Sequence, residues 1–264
     1  MSDSTGLPRS RCSRHRRELA RRHFLTPESL KQTLAFSHDQ FTLYTLFTAA
    51  YVNGQAHLVG NIVGYLLTTL YTYMLCIAVD ERRWFWRTFV VFLLVLPVLV
   101  SLTSYAVFSA WFPSVSVVSR GFSGVVAGFG GFLLVALAVY IRKRYSAQLG
   151  IVVGTSSFLT LMAMIDYIYA GRVRLVVGGL LAVGIALEVG SYLWQTEIDL
   201  ENLERQVFVD AGAVGLVFVV LAHIVVAMFP AEIAQNGTAT NIIAHAMGFL
   251  LGVGGSILSR PIWP

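Results

Sequence analysis

The group in this chain best placed to act as a nucleophile is the Ser123 hydroxyl, held in Gly121-Phe122-Ser123-Gly124 where a long apolar run opens. Neither flanking glycine carries a Cβ, so backbone or substrate can come close to the serine. The first turn of a helix has free N–H groups and a positive dipole end, which would stabilise an oxyanion formed there. A serine nucleophile also needs a base within hydrogen-bonding reach. His245, at the head of a later apolar run, is a candidate, with Gly248 and Gly252 following it on one helical face. His57 and Asn61 form a third polar feature, spaced i, i+4 and therefore on one face of a helix. Each feature also has a purely structural reading. Gly124 and Gly128 have the small-xxx-small spacing of a tight helix crossing, and an intramembrane histidine can be satisfied inside a bundle.

The elements that must position these groups are membrane spans. Of 264 residues, 56% are hydrophobic and only 12% charged, and the mean hydropathy is +0.70. A soluble domain carries about a quarter charged residues. The composition therefore predicts an all-α polytopic membrane protein. Apolar runs at about 57–79, 86–109, 121–141, 149–170, 174–195, 211–229 and 241–258 predict about seven transmembrane helices, with six possible. Residues 1–40 read as a basic polar tail, with Arg9, Arg11, Arg14, Arg16, Arg17, Arg21 and Arg22. The tail lacks the apolar core of a secretory signal, and its arginines are either solvated or laid against anionic headgroups. Residues 41–56 are too short to span and read as an interfacial segment rich in Tyr and Phe. Residues 259–264 form a C-terminal tail. The tail accounts for the basic charge, so no nucleic-acid partner is expected. Cys12 and Cys76 suggest neither a disulfide nor a metal site.

With seven spans and the first entering from outside, the inner loops carry Arg82, Arg83, Arg87, Arg142, Lys143, Arg144, Arg205 and Arg260. The outer loops carry only Arg120, Arg172 and Arg174, which fits the positive-inside rule, although the arginine-rich N-terminus then lies outside. In this arrangement the first, third and seventh spans all start outside. Ser123 and His245, 122 positions apart, can then meet at one depth.

Three short motifs occur in order: His57-Leu58-Val59-Gly60-Asn61, Gly121-Phe122-Ser123-Gly124, and Ala244-His245 followed by Gly248 and Gly252. Together with the lead-in Leu43-Tyr44-Thr45-Leu46-Phe47-Thr48, they resemble the rhomboid intramembrane serine proteases over roughly 41–145 and 236–258. The resemblance implies a rhomboid-like bundle and a Ser–His dyad. Ser123 would be the nucleophile and His245 the general base and acid. His57, Asn61 and the Ser123 N–H would form the oxyanion hole, with Gly121, Gly124, Gly248 and Gly252 packing around the site. It implies peptide hydrolysis in or near transmembrane segments of other membrane proteins, without a cofactor. The chain departs from the family pattern in three ways. About three spans fill residues 149–229 where the family commonly has one helix. No counterpart of the family's first helix is expected ahead of the loop. Ala127 also stands where the family often has an aromatic that stacks on the histidine.

These departures motivate a second reading, a rhomboid-like pseudoprotease that binds membrane clients. A third is a small secondary transporter using Asp166, Glu188 and His223, the other ionisable groups within spans. Asp166 could instead pair with Arg172 or Arg174, and no internal repeat supports transport. None of these groups has metal-ligand spacing. Asn236-Gly237-Thr238 is a glycosylation sequon. The expected location is a multi-pass position in the bilayer, at the cell membrane.

Overall fold

A computed structural model describes residues 28–112, 118–195, 205–232, 234–235 and 238–260. Short elements come first: α1 (Glu28–Leu34), β1 (Phe36–Ser37), α2 (Thr45–Thr48) and a 3₁₀ turn (Ala49–Tyr51). The long helices are α3 (Gln55–Ala78), α4 (Arg82–Trp111), α5 (Ser123–Arg144), α6 (Ala147–Ala170), α7 (Leu175–Gln195), α8 (Arg205–Met228) and α9 (Ile242–Ser259). Strand β2 (Val118–Ser119) pairs antiparallel with β1, and β3 (Ala234–Gln235) pairs with β4 (Thr238–Ala239). The protein is an all-α polytopic bundle, and its apolar helices make it an integral membrane protein. Among the described residues six helices are long and apolar enough to cross a bilayer, and α7 contributes the shorter apolar stretch Leu175–Leu187.

Helix α5 is the central one. In its most apolar stretch 89% of residues are buried, against 33% or less in the other five spans. A helix apolar on all sides must be surrounded, and α3, α4, α6, α8 and α9 pack around it. Phe129, Phe132, Leu133 and Leu137 are fully buried there, with Trp84, Phe85 and Phe92 of α4 against them. Helix α7 packs on α6, with exposed Leu175, Val176, Leu180 and Leu187.

The closest approach is between α5 and α9. A Cβ at Gly248 would run into the Gly124 carbonyl, and one at Gly252 into the Gly128 carbonyl, so backbone lies directly on backbone. Only glycine permits this spacing, and the i, i+4 repeat on both helices carries it through two turns.

At the end of α5 opposite Ser123, ions fix the register. Glu81, in the α3–α4 turn, accepts from Lys143 Nζ (2.8 Å) and from Arg260 (3.0 Å), which follows α9. Burial pushes the Glu81 carboxyl upward, but the hydrogen bonds from Lys143 and Arg260 outweigh it and hold the group below its ordinary range. Trp84 donates its indole N–H to the Ser256 carbonyl, and the Arg260 guanidinium lies 5.7 Å from the Trp84 ring. Asp210 of α8 is buried and accepts from Tyr140 (2.7 Å), Tyr145 (2.7 Å) and Arg144 (3.3 Å). Burial and the Asp210 hydrogen bond push the Tyr145 phenol up to about 12, so it remains a donor.

Residues 28–40, which composition assigns to the polar tail, are built into the fold. Phe36 is fully buried with Leu46 and Ala49 and touches Tyr105 edge-on. Leu34, Ala35 and Phe36 form an apolar run too short to show the periodicity that would reveal such an anchor.

Candidate active site

Ser123 is the first residue of α5, so its N–H has no partner within the helix. Its approach is set by Gly121, whose φ of +122° is a backbone state that side chains disfavour. The Gly121 N–H donates to the Ala49 carbonyl (2.9 Å), and the Phe122 N–H donates to Oδ1 of Asn53 (3.2 Å). The interfacial segment therefore pins the two residues ahead of the serine.

His245 stands one turn into α9. Asn241 caps that helix: its Oδ1 accepts from the Ala244 N–H (2.9 Å), and its Nδ2 donates to Ser104 (2.8 Å) and Ser119 (3.0 Å). The cap belongs to the side chain type that leads at this position, and its second hand ties α9 to α4 and to β2.

The two groups meet. His245 Nε2 lies 2.7 Å from Ser123 Oγ, and His245 Nδ1 lies 2.6 Å from the Met228 carbonyl oxygen. The tautomer follows from chemistry. A carbonyl oxygen can only accept, so Nδ1 must carry the proton. Nε2 then presents its lone pair to the Ser123 O–H, as a general base requires. His245 is 5% exposed, and the Phe229 ring meets it edge-to-face at 6.2 Å. Phe229 thus supplies the aromatic contact that Ala127 cannot. No carboxylate is needed to orient the ring, because the last carbonyl of α8 does so. A helix C-terminus carries unsatisfied carbonyls and partial negative charge, which would also favour an imidazolium if His245 took up a proton.

Asn61 lies on α3 and donates from Nδ2 to Asn53 Oδ1 (2.7 Å), one bond away from the Phe122 N–H. His57, one turn earlier, is exposed. Gly124, Gly248 and Gly252 line the α5–α9 seam beneath the dyad. Met228, Phe229, Asn53 and Asn241 are absent from the sequence-based site. The Asn241 cap immediately before an apolar run was legible. The Met228 contact is made by backbone, which leaves no residue-type signal.

The other ionisable groups stand apart. Asp166 pairs with Arg174 through its backbone N–H (2.9 Å) and guanidinium (2.6 Å). His223 is exposed on α8. The Glu188 side chain and residues 236–237 of the sequon lie outside the described residues. Among the described residues no group of His, Cys, Asp and Glu could hold a metal ion. Comparisons with protein-family models, curated proteins and solved structures return no match for this chain.

Proposed function

We propose that this protein is an intramembrane serine endopeptidase of the rhomboid type. The observation that carries the reading is the Ser123–His245–Met228 carbonyl chain, with both bonds under 3 Å. Ser123 Oγ attacks the scissile carbonyl carbon and its proton passes to His245 Nε2. The resulting oxyanion is received by the Ser123 N–H and by Asn61 and His57. Collapse breaks the C–N bond as His245 returns the proton to the leaving amine. Water then attacks the acyl-enzyme through the same base, releasing the carboxylic acid. The substrates are transmembrane segments of other proteins, reached within the bilayer of the cell membrane. A helical segment must unwind before its carbonyl is accessible, so small or helix-weakening residues are expected near the cut.

The test is covalent labelling of purified protein in detergent by a fluorophosphonate. Phosphonylation breaks the P–F bond, forms a bond to Ser123 Oγ and sends the serine proton to His245. The wild type is expected to label, Ser123→Ala not at all, and His245→Ala at a small fraction of the wild-type rate. A folded wild type that stays unlabelled overturns hydrolysis and favours the client-binding reading. Gradient-driven uptake that depends on Glu188 would favour the transporter.

A further inference from the structure

Asn53 has no role in the motifs, yet it sits where the interfacial segment, α3 and the nucleophile loop converge. Its Oδ1 accepts two hydrogen bonds, from Asn61 Nδ2 (2.7 Å) and from the Phe122 backbone N–H (3.2 Å). The backbone bond fixes which way the amide faces. A peptide N–H can only donate, so the Asn53 atom meeting it must be the oxygen. That oxygen in turn requires Asn61 to present its NH₂ group and not its carbonyl. One N–H of Asn61 is thereby committed and the other is left free to donate. Had Asn53 been flipped, Asn61 would offer an acceptor, which would repel an oxyanion. Asn53 also lies beside the reacting centre. A Cβ built on Gly121 would stand 3.6 Å from Asn53 Oδ1 and 3.8 Å from Ser123 Oγ.

We propose that Asn53 is a positioning residue of the oxyanion hole, turning the Asn61 amide so that its N–H faces the developing anion and locking that amide to the residue ahead of Ser123. The inference rests on the hydrolytic reading above and adds a residue to it. Asn53 touches neither the scissile bond nor the base. Its effect passes through Asn61, with the Phe122 N–H fixing the Asn53 amide, and it is realised only as negative charge develops.

The experiment is a double-variant cycle read by the rate of fluorophosphonate labelling, using Asn53→Ala, Asn61→Ala and the combination, each checked for an unchanged melting temperature. Removing a direct donor typically costs about 10²–10³ in rate. Asn53→Ala is expected to slow labelling about tenfold or more in the wild-type background, and by less than about threefold once Asn61 is already alanine. If Asn53→Ala labels like the wild type, or if the two losses simply multiply, the assignment is overturned while the dyad stands. If the wild type does not label, the hydrolytic reading itself has failed. Should Asn53→Ala not fold, Asn53→Asp carries the test. It keeps an acceptor for both donors but sets a negative charge beside the forming anion. It is expected to fold and to label at least about tenfold more slowly; a wild-type rate overturns the assignment.

Discussion

The two ends of the α5–α9 pair are held by opposite chemistry. At the end with Ser123 and His245, the bonds run between neutral groups: a hydroxyl, an imidazole, the Met228 carbonyl, three asparagine amides and two further serines. At the other end, Glu81 ties α5 to α9 through Lys143 and Arg260, and Asp210 ties α5 to α8 through Arg144 and two tyrosines. A fixed charge is tolerable at one end of the pair and not at the other. In the proposed reaction a proton changes hands at the dyad, and a permanent ion beside His245 would bias one protonation state of the imidazole. At the distant end nothing titrates during the proposed reaction, so ions can fix register there. All three helices that meet at the dyad, α5 with Ser123, α9 with His245 and α8 with Met228, are anchored in this way.

The glycine seam joins the two ends by direct backbone contact, and the largest effect should come from breaking that seam. Gly252→Leu drives a side chain into the Gly128 carbonyl. It is expected to abolish both the cooperative thermal transition and labelling, since overpacking of even a few methylenes costs about 1–3 kcal/mol and backbone cannot yield as a side chain does. A melting temperature within a degree or two of the wild type would show that the helices are not held at this distance. A smaller loss is expected from Asp210→Ala, which strands two phenols and a guanidinium. Breaking a buried ion pair costs about 3–5 kcal/mol, and the partly exposed Arg144 places this one at the low end. Labelling should fall with stability, because the far end of α8 holds the His245 ring. Full labelling with lowered stability would separate the two ends.

The fold class was legible because apolar runs of span length and flanking arginines follow directly from the cost of burying charge in lipid. Ser123, His245, Asn61 and the glycine seam were legible because hydroxyls, imidazoles and small residues are conspicuous in such runs. The acceptors were not. Met228 contributes a carbonyl that every residue has, and Asn53 precedes the span in an interfacial turn with no periodicity to single it out. Phe36 was hidden for the same reason, as the short apolar run of Leu34, Ala35 and Phe36 gives no pattern to read.

Glu81 and His38 sharpen the contrast by their response to acid. Glu81 is held below its ordinary carboxylate range in the fold. Its contribution is therefore present at neutral pH and is lost as pH falls through that range and below it. Glu81→Gln is expected to lower the neutral-pH melting temperature by a few degrees, to leave the labelling rate nearly unchanged, and to flatten the acid limb of a stability profile. An equal loss at every pH would mean that the carboxylate is not the group that matters.

His38 is the smallest effect, a titrating group beside the neutral bonds that hold the end with Ser123. It sits among Phe36, Tyr105 and Phe108, with Nε2 3.3 Å from Ser119 Oγ, the hydroxyl that also accepts from Asn241. Its buried Nδ1 has no partner among the described residues. Burial holds its pKa below the ordinary 6.5, against the opposing pull of Asp39. Stability from the neutral ring is thus complete above the unfolded histidine range and is lost as pH falls through the lower folded value. Charging the ring also places a cation in an aromatic nest linked through Ser119 and Asn241 to the cap of α9. Relative to His38→Phe, the wild type should lose a little melting temperature as pH falls from 7 to 5, because the unfolded chain takes up the proton more readily than the buried ring. A wild-type-minus-variant difference that is flat across this interval would remove His38 from the titrating groups.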